Sequence, residues 1–144
     1  MEEMATSENV ELISRVYTQA LENRQHGRNL DAADLMVYHV EMLSQEVNSG
    51  ASFEQYFRWA SCEEISEAAG RLESLGLDDI AGIVRRAIKV AFPAGMPSDD
   101  EQKDELTDWT EDQEQGLCAL FEEFEEFNGR IMNVLAAYYR SAKS

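Results

Sequence analysis

Apolar residues recur at steps of three and four along almost the whole chain, and no other feature of the sequence constrains the fold so strongly. Such steps place side chains on one face of an α-helix, whereas a half-buried strand needs strict alternation. No strand-like alternation of useful length is present. The sequence therefore predicts an all-α fold. The first stripe contains Val10, Ile13, Val16, Tyr17, Ala20 and Leu21, and the last contains Leu117, Phe121, Phe124, Phe127, Ile131, Leu135 and Tyr138.

Turn and capping residues divide this pattern into six to seven helices. Glycine favours helix ends, and Ser followed three residues later by Glu has the spacing of a capping box. Helix ends are predicted at His26-Gly27, at Asn48-Ser49-Gly50 and at Gly76. Helix starts are predicted at Asp31 with Asp34, at Ser61 with Glu64, at Asp78 or Asp79, and at Ser98 with Glu101.

Both prolines of the chain lie in one interruption, residues 92–98, and no helix passes through it unbroken. Gly129 is predicted to kink or split the last helix, because glycine is a poor helix former. A chain of 144 residues is about one domain long and buries enough surface for one core. We expect residues 1–144 to form a compact single-domain bundle of six to seven helices, with a Pro-containing loop at 92–98.

The charge of the chain is strongly acidic and unevenly distributed. Acidic residues outnumber basic residues by 29 to 12, and the formal net charge is -17. Phosphate backbones and anionic membranes repel such a chain, which excludes direct binding to nucleic acid or membranes as its default role, whereas basic protein surfaces attract it. Most of the excess lies in residues 99–126, here called the acidic segment, in which Lys103 is the single base. Its thirteen acids are Asp99, Asp100, Glu101, Asp104, Glu105, Asp108, Glu111, Asp112, Glu114, Glu122, Glu123, Glu125 and Glu126.

The charge density of the acidic segment is comparable to that of DNA. Duplex DNA carries one charge per about 1.7 Å of axis. In a helix that rises about 1.5 Å per residue, the four carboxylates between Glu122 and Glu126 lie along roughly 6 Å of the axis. This is about one charge per 1.5 Å. With Phe124 in the core, Glu122 and Glu126 project outward, and Glu123 and Glu125 lie on the flanks. An acidic helix face is most often just a solvated face, so solubility alone is an alternative explanation.

The sequence contains no recognisable catalytic constellation. Zinc, P-loop, dinucleotide-binding, nucleophile-elbow and EF-hand motifs are all missing from it. His26 is expected at the surface, and His39 is expected to be partly buried and hydrogen-bonded. The carboxylates of Glu63, Glu64 and Glu67 are close in sequence, but adventitious cation binding is the usual behaviour of such surface groups. We expect no enzyme activity, no cofactor and no metal site.

The compartment is inferred from the cysteines and the amino terminus. Cys62 and Cys118 cannot form a disulfide framework and are expected to fill space in the core. Residues 1–10 are acidic and lack the basic start and apolar core of a signal peptide. No apolar run approaches the ~20 residues of a membrane-spanning helix. We expect a soluble cytoplasmic protein.

Residues 46–57 carry a resemblance to a known family. The chain reads Glu46-Val47-Asn48-Ser49-Gly50 and then Phe53-Glu54-Gln55-Tyr56-Phe57, where family members carry Asn-Gly-Gly-Phe-x-Gln-Tyr-Phe after a helix. Residues 68–76, 81–92 and 121–138 resemble the helices that follow. Over residues 35–142 the chain therefore resembles the bacterial DNA-mimic protein family of the nineteen-kilodalton type. It departs from the family pattern at Ser49, at the intervening Ala51 and Ser52, and at Trp59, where members often have Asn.

The resemblance implies an all-helical fold, a homodimer and no catalytic activity. A characterised member is understood to present surface carboxylates as phosphate surrogates to a DNA-binding transcription regulator, which keeps the regulator off DNA. Its acidic binding residues lie outside the signature, so none is transferred by position. Asn48, Gly50, Gln55, Tyr56 and Phe57 are interpreted as structural residues, namely turn formers, an aromatic anchor and a capping amide.

The leading hypothesis is a non-catalytic acidic protein that mimics the phosphate charge of DNA and occludes the basic surface of a DNA-binding protein. The thirteen acids of the acidic segment are its predicted partner-binding residues. Three alternatives stay open. An immunity protein would neutralise a nuclease-like toxin that has a basic cleft, a small enzyme would use clustered carboxylates to hold a metal ion, and a dimeric scaffold would not depend on these charges.

Overall fold

The computed structural model describes residues 3–144, and these form eight α-helices and no strand. The all-α prediction is confirmed. The structure has one helix more than the upper limit of six to seven, because residues 100–143, which follow the Pro-containing loop, form three helices. The helices are α1 (Ser7–Gln25), α2 (Ala32–Gly50), α3 (Glu54–Trp59), α4 (Cys62–Ser74), α5 (Asp78–Ala91), α6 (Asp100–Glu105), α7 (Glu111–Glu125) and α8 (Asn128–Lys143).

Helix α2 lies at the centre of the bundle. It packs against α1, α3, α4, α7 and α8, and nine of its nineteen residues are buried. Helix α5 packs between α4 and α7. At its contact with α7, a Cβ added to Gly116 would lie 3.3 Å from a methyl group of Val90, so glycine at this position permits the close approach. The buried apolar side chains from α1 to α8 form one connected cluster.

Most of the predicted helix boundaries are confirmed. Gly27 and Gly76 follow α1 and α4 with positive φ angles of 69° and 78°. Asp31 caps α2 through its side chain, and Ser61 with Glu64 forms the predicted capping box at the start of α4. These local signals work because they satisfy backbone N–H groups that the helix itself leaves without partners.

The predicted capping box of Ser98 and Glu101 is wrong. The N-cap of α6 is Asp99, whose carboxylate accepts a hydrogen bond from the backbone N–H of Gln102 at 2.8 Å. Aspartate caps helices as well as serine does, so a shift of one residue has little cost. A second capping box does exist, and Thr110 with Gln113 forms it at the start of α7.

One predicted helix break is displaced, and one predicted helix end is confirmed with a different cap residue. The last stripe is split as expected, but the break falls at residues 126–127, and Gly129 lies inside α8. The predicted end of α2 at Asn48-Ser49-Gly50 is confirmed, because Gly50 is the last residue of the helix. The helix continues through Gly50, and Ala51 takes the left-handed cap position with φ 52°.

One cysteine is buried and the other is exposed. Cys62 lies in the core as expected, but Cys118 does not. On α7 the core-facing positions belong to Leu117, Leu120 and Phe124, and Cys118 points instead towards the carbonyl oxygen of Ala51, 3.6 Å away.

Across the part of the chain that the structure describes, residues 3–144, no helix combines the length and the apolar content needed to cross a bilayer.

Candidate acidic binding surface

All thirteen acidic side chains of the acidic segment are exposed. The segment is not one continuous helix, because residues 106–110 connect α6 to α7. The DNA-like spacing of charges along an axis therefore applies within each helix and not along the whole segment. Exposure makes every one of these carboxylates accessible to another molecule.

Lys103 points away from the carboxylates around it. Its side chain is 2% exposed, and its ammonium group donates to the backbone carbonyls of Phe57 and Arg58 at 2.8 and 3.0 Å. These carbonyls lie in the last turn of α3, where a helix leaves acceptors without partners. The carboxylate of Asp104 is 3.5 Å from the ammonium group. Lys103 therefore attaches α6 to α3, and its charge is withdrawn from the surface.

A row of aromatic contacts attaches α7 and the residues before it to α3. Phe124 meets Phe53 edge to face with ring centroids 5.6 Å apart, and Phe53 stacks on Phe57 at 5.7 Å. The row continues from Phe57 through Phe92 to Trp109. Both ends of the row belong to the acidic segment, and its middle belongs to α3, to the N-cap of α3 and to the C-cap of α5. Buried side chains thus attach the acidic segment both to α3 and to α5, and α5 is the helix that packs most extensively against α7.

The signature residues hold α3 in place. Asn48 exchanges two amide hydrogen bonds with Asn128 of α8, at 3.0 and 2.8 Å, and Gln55 donates to the carboxylate of Glu46 at 2.7 Å. A Cβ at Gly50 would lie only 2.8 Å from the Cβ of Gln55, so glycine is needed there for close approach. The three aromatic residues of the signature, Phe53, Tyr56 and Phe57, are buried. Each signature residue therefore has a structural role, and together they build the support of the acidic segment.

Sequence reasoning missed this support because its contacts join distant parts of the chain. The ammonium group of Lys103 and the carbonyl of Phe57 are 46 residues apart. No periodicity or spacing within either segment indicates such a contact. One signal was present: Lys103 is the single base among thirteen acids, and an isolated residue of opposite charge is worth testing as a buried anchor.

The glutamates near the carboxyl end of α7 do not stabilise that helix. The last turn of α7 contains no basic residue, and acidic side chains at this end oppose the helix dipole. The amino end of α8, which begins at Asn128, offsets part of this cost for Glu126. The acids at the amino end of α7 are different, because Glu111, Asp112 and Glu114 lie where the dipole favours negative charge. Helix stability therefore accounts for the first group of acids on α7 but not for the last.

Few carboxylates of the acidic segment have a cationic partner. Arg86 of α5 donates two hydrogen bonds to Glu123, at 2.8 and 3.3 Å, and Lys103 pairs with Asp104. Within residues 3–144, the other eleven of the thirteen acids form no ion pair. Acids elsewhere are better compensated, as in the pairs of Glu73 with Arg85, Asp79 with Arg130 and Asp31 with Lys143. Ten acids elsewhere in residues 3–144 also form no ion pair, but they are spread over a much longer stretch, so the uncompensated negative charge is densest in the acidic segment.

Two of these carboxylates are held in the ionised form by donors. The backbone N–H of Cys62 donates to Asp100 at 2.9 Å and lowers the pKa of that carboxyl below its ordinary value. The guanidinium of Arg86 lowers the pKa of Glu123 in the same way. Both side chains are negatively charged at neutral pH.

Other residues singled out in the sequence have structural partners. His26 is exposed, whereas His39 is buried with its Nε2 3.2 Å from the carboxylate of Glu67, and burial lowers the pKa of His39. Glu64 closes the capping box of α4 and accepts a hydrogen bond from the hydroxyl of Tyr38 at 2.7 Å. In residues 3–144, no group of three or more His, Cys, Asp or Glu side chains is arranged to hold a metal ion.

Fold and surface together define an all-helical protein that presents uncompensated carboxylates on a support of buried aromatic rings. The sequence model of the family described as DMP19-like protein matches residues 28–142. The chain belongs to this family, which is the DNA-mimic family that its sequence resembles. No curated protein and no solved structure matches the chain.

Proposed function

We propose that this protein binds the basic surface of a DNA-binding protein and prevents that surface from contacting DNA. The acids of the acidic segment supply the binding charge in place of phosphates. The observation that carries the proposal is that eleven of thirteen exposed carboxylates form no ion pair within residues 3–144, while the single lysine among them is buried.

Electrostatic forces attract a basic partner to this surface and make the affinity of the complex sensitive to salt. Complementary potentials steer association and suppress wrong partners. Exposed charges are screened beyond ~8 Å at physiological ionic strength, so affinity for the partner falls as salt rises. The rigid support matters as well, because carboxylates that are already positioned lose less conformational freedom on binding.

The proposed action is binding without catalysis. The family is one of DNA mimics, and the surface acts through the position of its charges. The homodimer that the resemblance implies belongs to the same proposal, and sedimentation equilibrium of the isolated protein tests it.

Affinity capture with matched charge variants tests the proposal. The first variant, E122Q/E125Q/E126Q, removes three exposed carboxylates and leaves the Glu123–Arg86 pair intact. The control variant, E8Q/E11Q/E22Q, makes the same change in net charge on the exposed face of α1. Immobilised wild type and control should recover the same protein from a lysate of the source organism, and the first variant should bind it at least about tenfold more weakly.

Two results would contradict the proposal. One is a partner that E122Q/E125Q/E126Q and the wild type recover equally well, and the other is a partner whose recovery does not change with salt. The identity of the recovered protein separates the two kinds of basic partner. A transcription regulator supports the proposal, whereas a nuclease toxin encoded beside this protein would make it an immunity protein.

A further inference from the structure

Trp59 is an exposed tryptophan at the end of α3. Its side chain is 74% exposed, in contrast to the buried rings of Tyr56 and Phe57 on the same helix. The other tryptophan, Trp109, is 8% exposed and donates its indole N–H to the carbonyl of Ala91 at 3.1 Å. The core therefore accommodates one indole ring and leaves the other in solvent.

The backbone on both sides of Trp59 is attached to α6. The carbonyls of Phe57 and Arg58 accept from the ammonium group of Lys103 just before it. Just after it, the N–H of Cys62 donates to the carboxylate of Asp100, and the thiol of Cys62 donates to the carbonyl of Asp99. The backbone that carries Trp59 is thus attached on both sides to the first residues of the acidic segment.

The neighbouring arginine does not cover this ring. The guanidinium of Arg58 lies over the ring of Trp109, 5.2 Å from its centroid. The indole of Trp59 stays open to a cation from another molecule. Among the aromatic side chains, indole gives the strongest cation–π contact, and arginine is the more frequent partner.

Resting on the proposed function, we infer that Trp59 is an arginine-selecting contact on the acidic surface. A guanidinium group of the partner lies over the indole ring while its N–H groups donate to the carboxylates at the start of α6. The partner is therefore a basic protein whose contact side chain is arginine. Lysine satisfies the carboxylates as a point charge but stacks less well on the ring.

Two peptides of equal charge, octa-arginine and octa-lysine, test this inference on the intact protein. Binding is followed at low salt by tryptophan emission and by calorimetry, the latter because W59A removes the exposed fluorophore. The wild type should bind octa-arginine more tightly than octa-lysine, and W59A should reduce that ratio by about 2- to 5-fold. L106A is the control, because Leu106 is 46% exposed at the other end of α6 and its truncation should leave the ratio unchanged.

The outcomes separate this inference from the function on which it rests. An unchanged ratio in W59A overturns the inference, while tight, salt-dependent binding of both peptides leaves the proposed function standing. If neither peptide binds the wild type at low salt, the acidic surface does not attract basic chains, and the proposed function fails together with the inference. A ratio that falls in W59A and is kept in W59F supports an aromatic contact.

Discussion

Lys103 has an ammonium group buried among backbone atoms in a segment whose other charges are exposed. Burial of a charge is unfavourable unless hydrogen bonds replace the lost water. Here two carbonyls at the carboxyl end of α3 act as acceptors, and this end of a helix carries partial negative charge. The buried side chain of Lys103 thus fixes the position of the exposed carboxylates on α6.

Replacing Lys103 should weaken the attachment of α6. K103M leaves the carbonyls of Phe57 and Arg58 without their donor, and we expect the free energy of unfolding to fall by about 1–3 kcal/mol. Urea denaturation measures this change, and hydrogen exchange should show lost protection in α6. K89M is the control, since Lys89 is exposed on α5 and its replacement should change stability by less than ~0.5 kcal/mol. Equal effects of the two substitutions would contradict the anchoring role.

Glu41 makes the stability of the bundle depend on pH. It is 5% exposed on α2, accepts a hydrogen bond from Gln45 at 2.9 Å, and has its pKa raised by burial. An acid whose pKa is higher in the folded state binds more protons there than in the unfolded state, so stability falls as pH rises above the ordinary value. E41Q should therefore be more stable than the wild type, with an advantage that grows from pH 5 to pH 8.

Urea denaturation across this pH range measures the difference between E41Q and the wild type. The variant keeps an oxygen acceptor for Gln45. E22Q is the control, because Glu22 is exposed on α1. An advantage of E41Q that does not vary with pH would show that the carboxylate does not carry the effect.

Helices of this bundle follow from the sequence, but the arrangement of α3, α6 and α7 does not. Stripes at steps of three and four and local caps predict helices because their causes lie within a few residues. The fixing of the acidic segment on α3 depends on Lys103 and on rings such as Phe53 and Phe124, which meet only after the chain folds. The acids themselves were visible in the sequence, whereas their rigid support was not.

The turn between α2 and α3 should be sensitive to a single methyl group. G50A places a Cβ 2.8 Å from the Cβ of Gln55, and we expect a loss of about 1–3 kcal/mol in the free energy of unfolding. G70A is the matched control in the interior of α4, where an added Cβ meets nothing within 4 Å apart from the adjoining residues and the backbone of its own helix. It should stabilise the protein by about 0.5–1 kcal/mol. Denaturant midpoints compare the two variants. A similar loss of stability in both would contradict the specific need for glycine where residue 50 approaches Gln55.

The whole protein carries its uncompensated charge at some cost in stability. A formal net charge of -17 produces self-repulsion, and the acids of the last turn of α7 add repulsion between near neighbours. Solubility alone does not require these charges to be concentrated in residues 99–126. Binding to a basic surface does require the charges to be concentrated, because the electrostatic field of the binding region must exceed that of the rest of the protein.

Removing part of this charge should stabilise the isolated protein. E122Q/E125Q/E126Q should raise the free energy of unfolding at low salt by about 0.2–0.5 kcal/mol for each like-charge pair removed, and the gain should shrink as salt is added. The control E8Q/E11Q/E22Q should not show this gain, because Glu8 lies in the first turn of α1, where negative charge is favourable. Thermal unfolding at two salt concentrations measures both. A loss of stability in E122Q/E125Q/E126Q would show that repulsion between these glutamates does not destabilise the protein.

Competition with DNA tests the central claim most directly. A partner recovered by affinity capture is bound to labelled duplex DNA at low salt, and this protein is then added while fluorescence anisotropy and size-exclusion chromatography follow the DNA. We predict that the wild type releases the DNA, that no complex contains both, and that E122Q/E125Q/E126Q needs at least about tenfold more protein for the same release. A stable ternary complex of partner, DNA and this protein would contradict the claim that the acidic segment takes the place of phosphates.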